Sequence, residues 1–339
     1  MAGAATTDTR PLTDGFGRRI TYVRISVTDR CDLRCRYCMA EKMEFLPRRE
    51  ILSFEEIDMI AEAFIARGVR KIRLSGGEPL VRKGVTDLAA RLGRHLNGGG
   101  LDELTMTTNA TRLADHADAL ADAGVKRVNV SLDTLDPDAF RYITRWGDLE
   151  KTLDGIAAAQ AAGLRVKINM VALAGMNDHH IVPMMRWCAD QGHDLTLIET
   201  MPLGHIDDDR SDRYLPLDAV KHDLEQQFSL IPLAERTGGP ARYWNVEQLG
   251  LKLGLITPLT NNFCDGCNRV RVTVSGKIYM CLGHDDHLDL KSALREGGRE
   301  ALDQVLDEAM IRKPRRHDFH IGADDAQPAV TRHMSVTGG

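Results

Sequence analysis

The sequence predicts an α/β fold: a partial (β/α)6 TIM-like barrel followed by a C-terminal extension of different character. Three observations carry this. Strand-like and helix-like stretches alternate six times, which argues for a parallel sheet with right-handed crossovers. Six units are too few for a full eight-stranded barrel, so the barrel is expected to stay open. The alternation then breaks near residue 205.

Taken in order, residues 1–17 are polar and read as a loose N-terminal arm, residues 18–204 as the barrel, and residues 205–339 as the extension. The first strand, 20–27, is rich in β-branched and aromatic residues and runs straight into a cysteine loop. Ser53-Phe-Glu-Glu56 has the form of a capping box. Behind it Phe54, Ile57, Ile60, Ala61, Phe64 and Ile65 recur at helical spacing, and Gly68 closes the helix. Strands are expected at 71–75, 103–108, 127–132, 165–173 and 194–200. Helices are expected near 84–95, up to Gly124, at 137–143 and 149–162, and at 178–191, with Gly163 and Gly192 as stops. In the extension, 205–214 is an acidic loop. Short strands at 252–257 and 270–274 and a helix near 297–312 are expected to cover the open side of the barrel.

The chain of 339 residues is 43% hydrophobic and 27% charged, the balance of a globular domain with a sizeable core. A net charge of −5 excludes a global pull toward nucleic acid or an anionic membrane, so an anionic substrate must be held by local Arg and Lys. No run approaches eighteen apolar residues, and the N-terminus lacks the apolar core of a signal peptide; a cytoplasmic protein is expected. Six of the seven cysteines fall in two tight groups. In a reducing compartment such grouping points to metal rather than disulfides. Cys188, beside Trp187 in a helical stretch, reads as a buried small apolar residue.

The first group is Cys31-Asp-Leu-Arg-Cys35-Arg-Tyr-Cys38. Three thiolates from one loop can hold three corners of a cubane iron–sulfur cluster and leave one iron open to a small molecule. A structural zinc site needs four closed ligands, and no fourth follows nearby; a disulfide would strand one thiol. Ser75-Gly-Gly-Glu-Pro79 ends the second strand, and its glycines let the backbone approach a ligand. The second group, Cys264, Cys267 and Cys281, again offers three thiols, with His284 and His287 as candidates to complete zinc instead. Arg269 and Arg271 alternate along a strand beside it and so share a face, as an anion clamp would.

CxxxCxxC with Tyr37 before its last cysteine resembles the radical S-adenosylmethionine (SAM) enzymes. The resemblance implies that SAM chelates the open iron and is cleaved to a 5′-deoxyadenosyl radical. By the same resemblance Tyr37, Gly76, Gly77, Glu78, Ser131 (in Asn129-Val-Ser-Leu-Asp133) and Met201 are expected around SAM. CxxCNRxR with a later cysteine, and the Gly338-Gly339 ending, narrows the likeness to the GTP 3′,8-cyclases, the branch that serves molybdenum-cofactor biosynthesis; it spans roughly residues 17–339. That implies two [4Fe-4S] clusters, the second binding the guanine edge. It implies GTP contacts from Arg24, Arg73, Thr107, Lys167, Arg269 and Arg271, and a Gly338-Gly339 tail reaching the active site. The reaction implied is 3′-hydrogen abstraction and attack on guanine C8, giving 3′,8-cyclo-7,8-dihydro-GTP. The product would pass to a cyclic pyranopterin monophosphate synthase. The sequence reveals neither the electron donor nor the oligomeric state, though a homodimer is compatible with it. Where the branch usually has Thr-Thr-Asn-Gly, this chain has Thr107-Thr108-Asn109-Ala110, and Ala disfavours positive φ. The rival readings are a peptide-modifying radical SAM maturase, which usually carries more C-terminal cysteines, and a non-enzymatic zinc- or iron-binding regulator.

Overall fold

Six parallel strands form the centre of the molecule: β1 (Tyr22–Ser26), β2 (Lys71–Ser75), β3 (Glu103–Thr108), β4 (Arg127–Ser131), β5 (Arg165–Ala172) and β6 (Asp194–Glu199). The computed structural model describes residues 9–206, 211–235, 239–261, 263–317, 319 and 328–338. Helices α1 (Phe54–Ala66), α2 (Val85–Gly93), α3 (Ala117–Asp122), α4 (Pro137–Thr144), α5 (Leu149–Ala161) and α6 (Ile181–Gln191) make the return crossings. The capping box forms at the start of α1: Ser53 accepts from the Glu56 N–H, and Glu56 reaches back to the Ser53 N–H. The strands alternate because helices cover one side and the site the other: every residue of β2 is buried, Ile72 and Leu74 in the core and Arg73 and Ser75 on the side of the site.

The extension does more than cover the open side. It supplies α7 (Leu217–Glu225), β7 (Leu230–Leu233), β8 (Arg242–Val246), β9 (Leu251–Ile256), β10 (Arg269–Val272), β11 (Lys277–Tyr279), β12 (His287–Asp289), α8 (Leu290–Arg312) and α9 (Met334–Thr337). Strand β10 pairs parallel with β1, and β9 pairs parallel with β6. The order is therefore β12-β11-β10-β1-β2-β3-β4-β5-β6-β9-β8-β7, a twelve-stranded sheet whose two flanks both come from the extension. The extension expected to cover the open side is thus also part of the sheet. Two bare edges of a six-stranded sheet need partners, and the extension provides them.

Two smaller expectations also change. The arm is not loose over its described part: Leu12 is 1% exposed, its N–H donates to Arg67 O, and Arg18 binds Asp14 and the carbonyls of Cys264 and Pro314. The last long helix starts at Leu290, where Asp289 caps it, and breaks its dihedrals at Gly298, near where a helix was expected to begin. Among the described residues no helix is long and apolar enough to cross a membrane.

Candidate active site

The loop between β1 and α1 carries Cys31, Cys35 and Cys38 and is tied down on both sides. Asp32 accepts from Asn109 Nδ2 (2.8 Å) and Thr111 Oγ1 (2.6 Å) after β3. The N–H groups of Arg34 and Arg36 donate to Thr144 O and Ile143 O at the end of α4. Leu33 N–H and Asn109 Nδ2 lie 3.4 and 3.8 Å from Cys31 Sγ. Burial pushes the Cys31 and Cys35 thiols up, and acidic neighbours push the same way: Glu78 and Asp32 on Cys31, Asp133 on Cys35.

A cavity opens over this trio at the carboxyl ends of the strands. Tyr37, Gly76, Gly77, Thr107, Ser131 and Met201 line it. Three buried hydroxyls in its wall, Ser75 Oγ, Thr107 Oγ1 and Ser335 Oγ, have no hydrogen-bond partner among the described residues. Such orphans are costly unless a polar ligand meets them. With three thiols at the floor, this donor set fits a cluster and the polar groups of SAM. Gly77 is held against the cysteine loop: a Cβ there would lie 2.3 Å from Arg30 O. Glu78 does not line the cavity. Its carboxylate accepts from Thr108 Oγ1 and from the N–H groups of Asn109 and Leu80. Burial raises its pKa to about 7, against those N–H groups. Its part is to join the Gly76-Gly77 turn to β3. Tyr37 donates to Asp133 at 2.8 Å, and Asp133 also accepts from Val171 N–H. Ala110 adopts φ 63°, the left-handed conformation a Gly would take, at a cost of about 1 kcal/mol.

A second cavity shares a wall with the first, through Asn169, Ile198, Met201 and Met334. Cys264, Cys267 and Cys281 line it, with Arg24, Arg73, Lys167, Arg269 and Arg271. Thr107 is not brought together with these cations; it faces the first cavity. The sheet register explains the cation cluster. Arg271, Arg24 and Arg73 are direct neighbours across β10, β1 and β2, and Arg269, Tyr22 and Lys71 form the next row in the same direction. Neighbouring parallel strands lie only about 4.8 Å apart, and like charges side by side are unfavourable. Lys71 and Arg127 are balanced by Glu103. Among the described residues no carboxylate pairs with Arg24, Arg73, Lys167, Arg269 or Arg271. Their partners are neutral. Arg24 Nε donates to Tyr22 OH (3.2 Å) and Lys167 Nζ to Tyr243 OH (2.7 Å), and the Asn129 amide, turned with its oxygen toward Arg73, accepts from both guanidinium nitrogens at 3.1 and 3.2 Å.

Burial, then Arg127 and Arg73, lowers the Lys167 pKa to about 7. For Tyr22, burial alone would raise the pKa; Arg73, Arg24 and Lys71 outweigh it and bring it down to about 7. Burial, Arg24 and Arg269 hold Arg271 well below the usual guanidinium range.

Neither proposed zinc histidine lines this cavity. His284 Nε2 lies 3.0 Å from Arg316 O and His287 Nδ1 lies 2.8 Å from Asp285 O; the histidine in the wall is His317. The described group whose ligating atoms lie within 4.8 Å of one another is Asp58, Glu62 and His95, on the outer helices, where Arg94 pairs with Asp58. Neither cysteine trio is drawn together that closely, and a cubane holds its thiolates further apart than a single ion does. The tail comes in beside both cavities: Met334 lines both and Ser335 the first. Arg271 Nη1 donates to Thr337 O (3.3 Å) and to Gly338 O. Gly338 has φ 77°, and a Cβ there would lie 2.0 Å from Ser75 Oγ. Gly339 lies outside the described residues.

An open parallel barrel with a three-cysteine loop after its first strand defines the radical SAM class. Residues 25–188 match the Radical SAM superfamily, and residues 193–319 match Molybdenum Cofactor Synthesis C. Among solved structures, native anSMEcpe with bound AdoMet aligns with TM-score 0.61 at 15% identity, covering 86% of this chain and 82% of that one. Streptococcus suis SuiB bound to precursor peptide SuiA aligns with TM-score 0.60 at 15% identity, covering 88% and 66%; both likenesses concern the fold. The GTP 3′,8-cyclase of Rhizobium meliloti (strain 1021) is 58% identical, over 98% of this chain and 96% of its own length. That of Agrobacterium fabrum is 56% identical over 100% and 97%. The chain belongs to the GTP 3′,8-cyclase family.

Proposed function

We propose that the protein converts GTP to 3′,8-cyclo-7,8-dihydro-GTP, the first step toward the molybdenum cofactor. One observation carries the choice of substrate: the row Arg271, Arg24, Arg73, with Lys167 and Arg269 nearby, lines one cavity, Arg73 and Lys167 buried and the others half-buried, and among the described residues none of them pairs with a carboxylate. Several kcal/mol oppose burying uncompensated charge, and a triphosphate offers the missing negative charge in bidentate form. A peptide substrate leaves that row unbalanced.

SAM and the cluster held by Cys31, Cys35 and Cys38 supply the radical that takes the 3′ hydrogen. Gly76 and Gly77 present backbone polar groups to the SAM amino acid, Ser75 and Thr107 offer hydroxyls, and Tyr37, Ser131 and Met201 shape the nucleoside end. The triphosphate lies against the cation row, which turns the ribose toward the shared wall at Asn169 and Met201. The C3′ radical adds to guanine C8. One electron and one proton then complete the dihydro product. Cys264, Cys267 and Cys281 hold the second cluster at the guanine end, with Arg269 and Arg271 beside it. Gly338, gripped by Arg271, lies where the tail can report an occupied GTP site to the first cavity. A reductant of the cytoplasm supplies the electrons, and a pyranopterin synthase consumes the product.

The test is anaerobic turnover of the reconstituted protein with SAM, reductant and GTP deuterated at C3′. Transfer of deuterium into 5′-deoxyadenosine, together with cyclised product, is expected. SAM cleavage that is indifferent to GTP and leaves it unlabelled refutes the reading.

A further inference from the structure

Lys313 follows α8 and belongs to neither cysteine motif, yet its side chain enters the second site. It is 3% exposed. Its Nζ donates to Met280 O (2.7 Å) and Arg269 O (3.1 Å) and stands 3.6 Å from Cys267 Sγ. An ammonium has three donors, and these three acceptors use them all. The two carbonyls flank the cysteines: Met280 precedes Cys281, and Arg269 stands two residues after Cys267. Among the described residues no carboxylate pairs with Lys313. A buried ammonium needs an anion, and the sulfur of Cys267 is the anion-forming group in reach.

We propose that Lys313 is the fixed counter-charge of the second cluster, a positioning residue that clamps the two cysteine-bearing turns together and raises that cluster's reduction potential. Reduction adds negative charge to a cluster, so a permanent cation bonded to one ligand favours the reduced form. The proposal rests on the second trio holding a cluster.

Full-length protein, anaerobically reconstituted, is titrated electrochemically and followed by electron paramagnetic resonance in parental, Lys313→Met and Lys313→Arg forms. Cys35→Ser and Cys267→Ser samples assign the two signals. In Lys313→Met the second cluster should be about tenfold harder to reduce, a fall of ~59 mV for a one-electron couple. The first cluster should not move, and Lys313→Arg should stay near the parental value. A Met variant that keeps its cluster at the parental potential overturns the proposal. Loss of the second cluster in Met but not Arg supports it, because Arg keeps the charge and the N–H donors of the clamp and Met has neither. Loss in both overturns it. Parental protein with iron for a single cluster, unchanged by Cys267→Ser, instead refutes the reading of the second trio.

Discussion

The two cysteine trios offer the same three-thiol chemistry in opposite electrical surroundings. Around the first lie Asp32, Glu78 and Asp133, and with burial they push its thiols up. Around the second lie Arg269, Lys313 and Arg18; against burial they bring the Cys267 thiol down to about 7. Negative surroundings make a cluster harder to reduce and its electron more strongly donated. Positive surroundings suit a site that must hold an anion. Under the proposed function, one fold separates the electron-donating end of the reaction from the substrate-holding end, with Asn169, Ile198, Met201 and Met334 as the wall between the two cavities.

The largest effect tests the first end alone. Cys35→Ser should abolish reductive SAM cleavage with or without GTP, read as 5′-deoxyadenosine by chromatography; normal formation would remove the first trio from the chemistry. The division predicts a different result at the other end. Cys267→Ser should keep slow SAM cleavage but lose cyclised product, whereas product at the parental rate would make the second trio structural.

A third experiment addresses the wall. Without Gly338 and Gly339, both clusters and GTP affinity should persist. Label transfer from the 3′ position should fall roughly a hundredfold, the scale of a small misplacement of reacting groups. Parental transfer would reduce the tail to a passive end. The smallest effect concerns charge. Lys167 and Tyr22 both titrate at about 7. A bound polyanion favours charged lysine and neutral tyrosine, so each takes up a proton on binding. GTP affinity should therefore fall as pH rises from about 7 to about 9. Calorimetry in two buffers of different ionisation enthalpy should show proton uptake, reduced in Lys167→Met. Binding without uptake would mean that these groups are charged and neutral, respectively, before GTP arrives.

The barrel strands were legible because each is a short stretch with apolar residues at alternate positions between a helix-stopping glycine and a turn; 71–75 and 103–108 have the expected bounds. Of the flanks, the short strands expected at 252–257 and 270–274 are present as β9 and β10, but their place in the sheet was not legible. Nothing local in Arg269–Val272 says that it pairs with Tyr22–Ser26, since that contact joins distant parts of the chain and its alternating arginines resemble a solvated strand. The cysteines and arginines of the site were legible as motifs. Tyr22, Asn129, Tyr243 and Lys313 were not, because a single polar residue in a strand or after a helix carries no spacing signal. Glu78 and Thr107 came with their motifs, but their surroundings were not legible: Glu78 braces the glycine turn, and Thr107 lies in the wall of the first cavity.

The pairing of β10 with β1 also bears on how the molecule comes into being. Strand β1 emerges early from the ribosome, and its outer partner lies nearly three quarters of the chain later. Closing so long a loop costs about 5 kcal/mol of chain entropy, and such non-local pairing folds slowly. Until the last third of the polypeptide is made, both margins of the parallel sheet stand bare, the condition in which nascent chains most readily stick to one another.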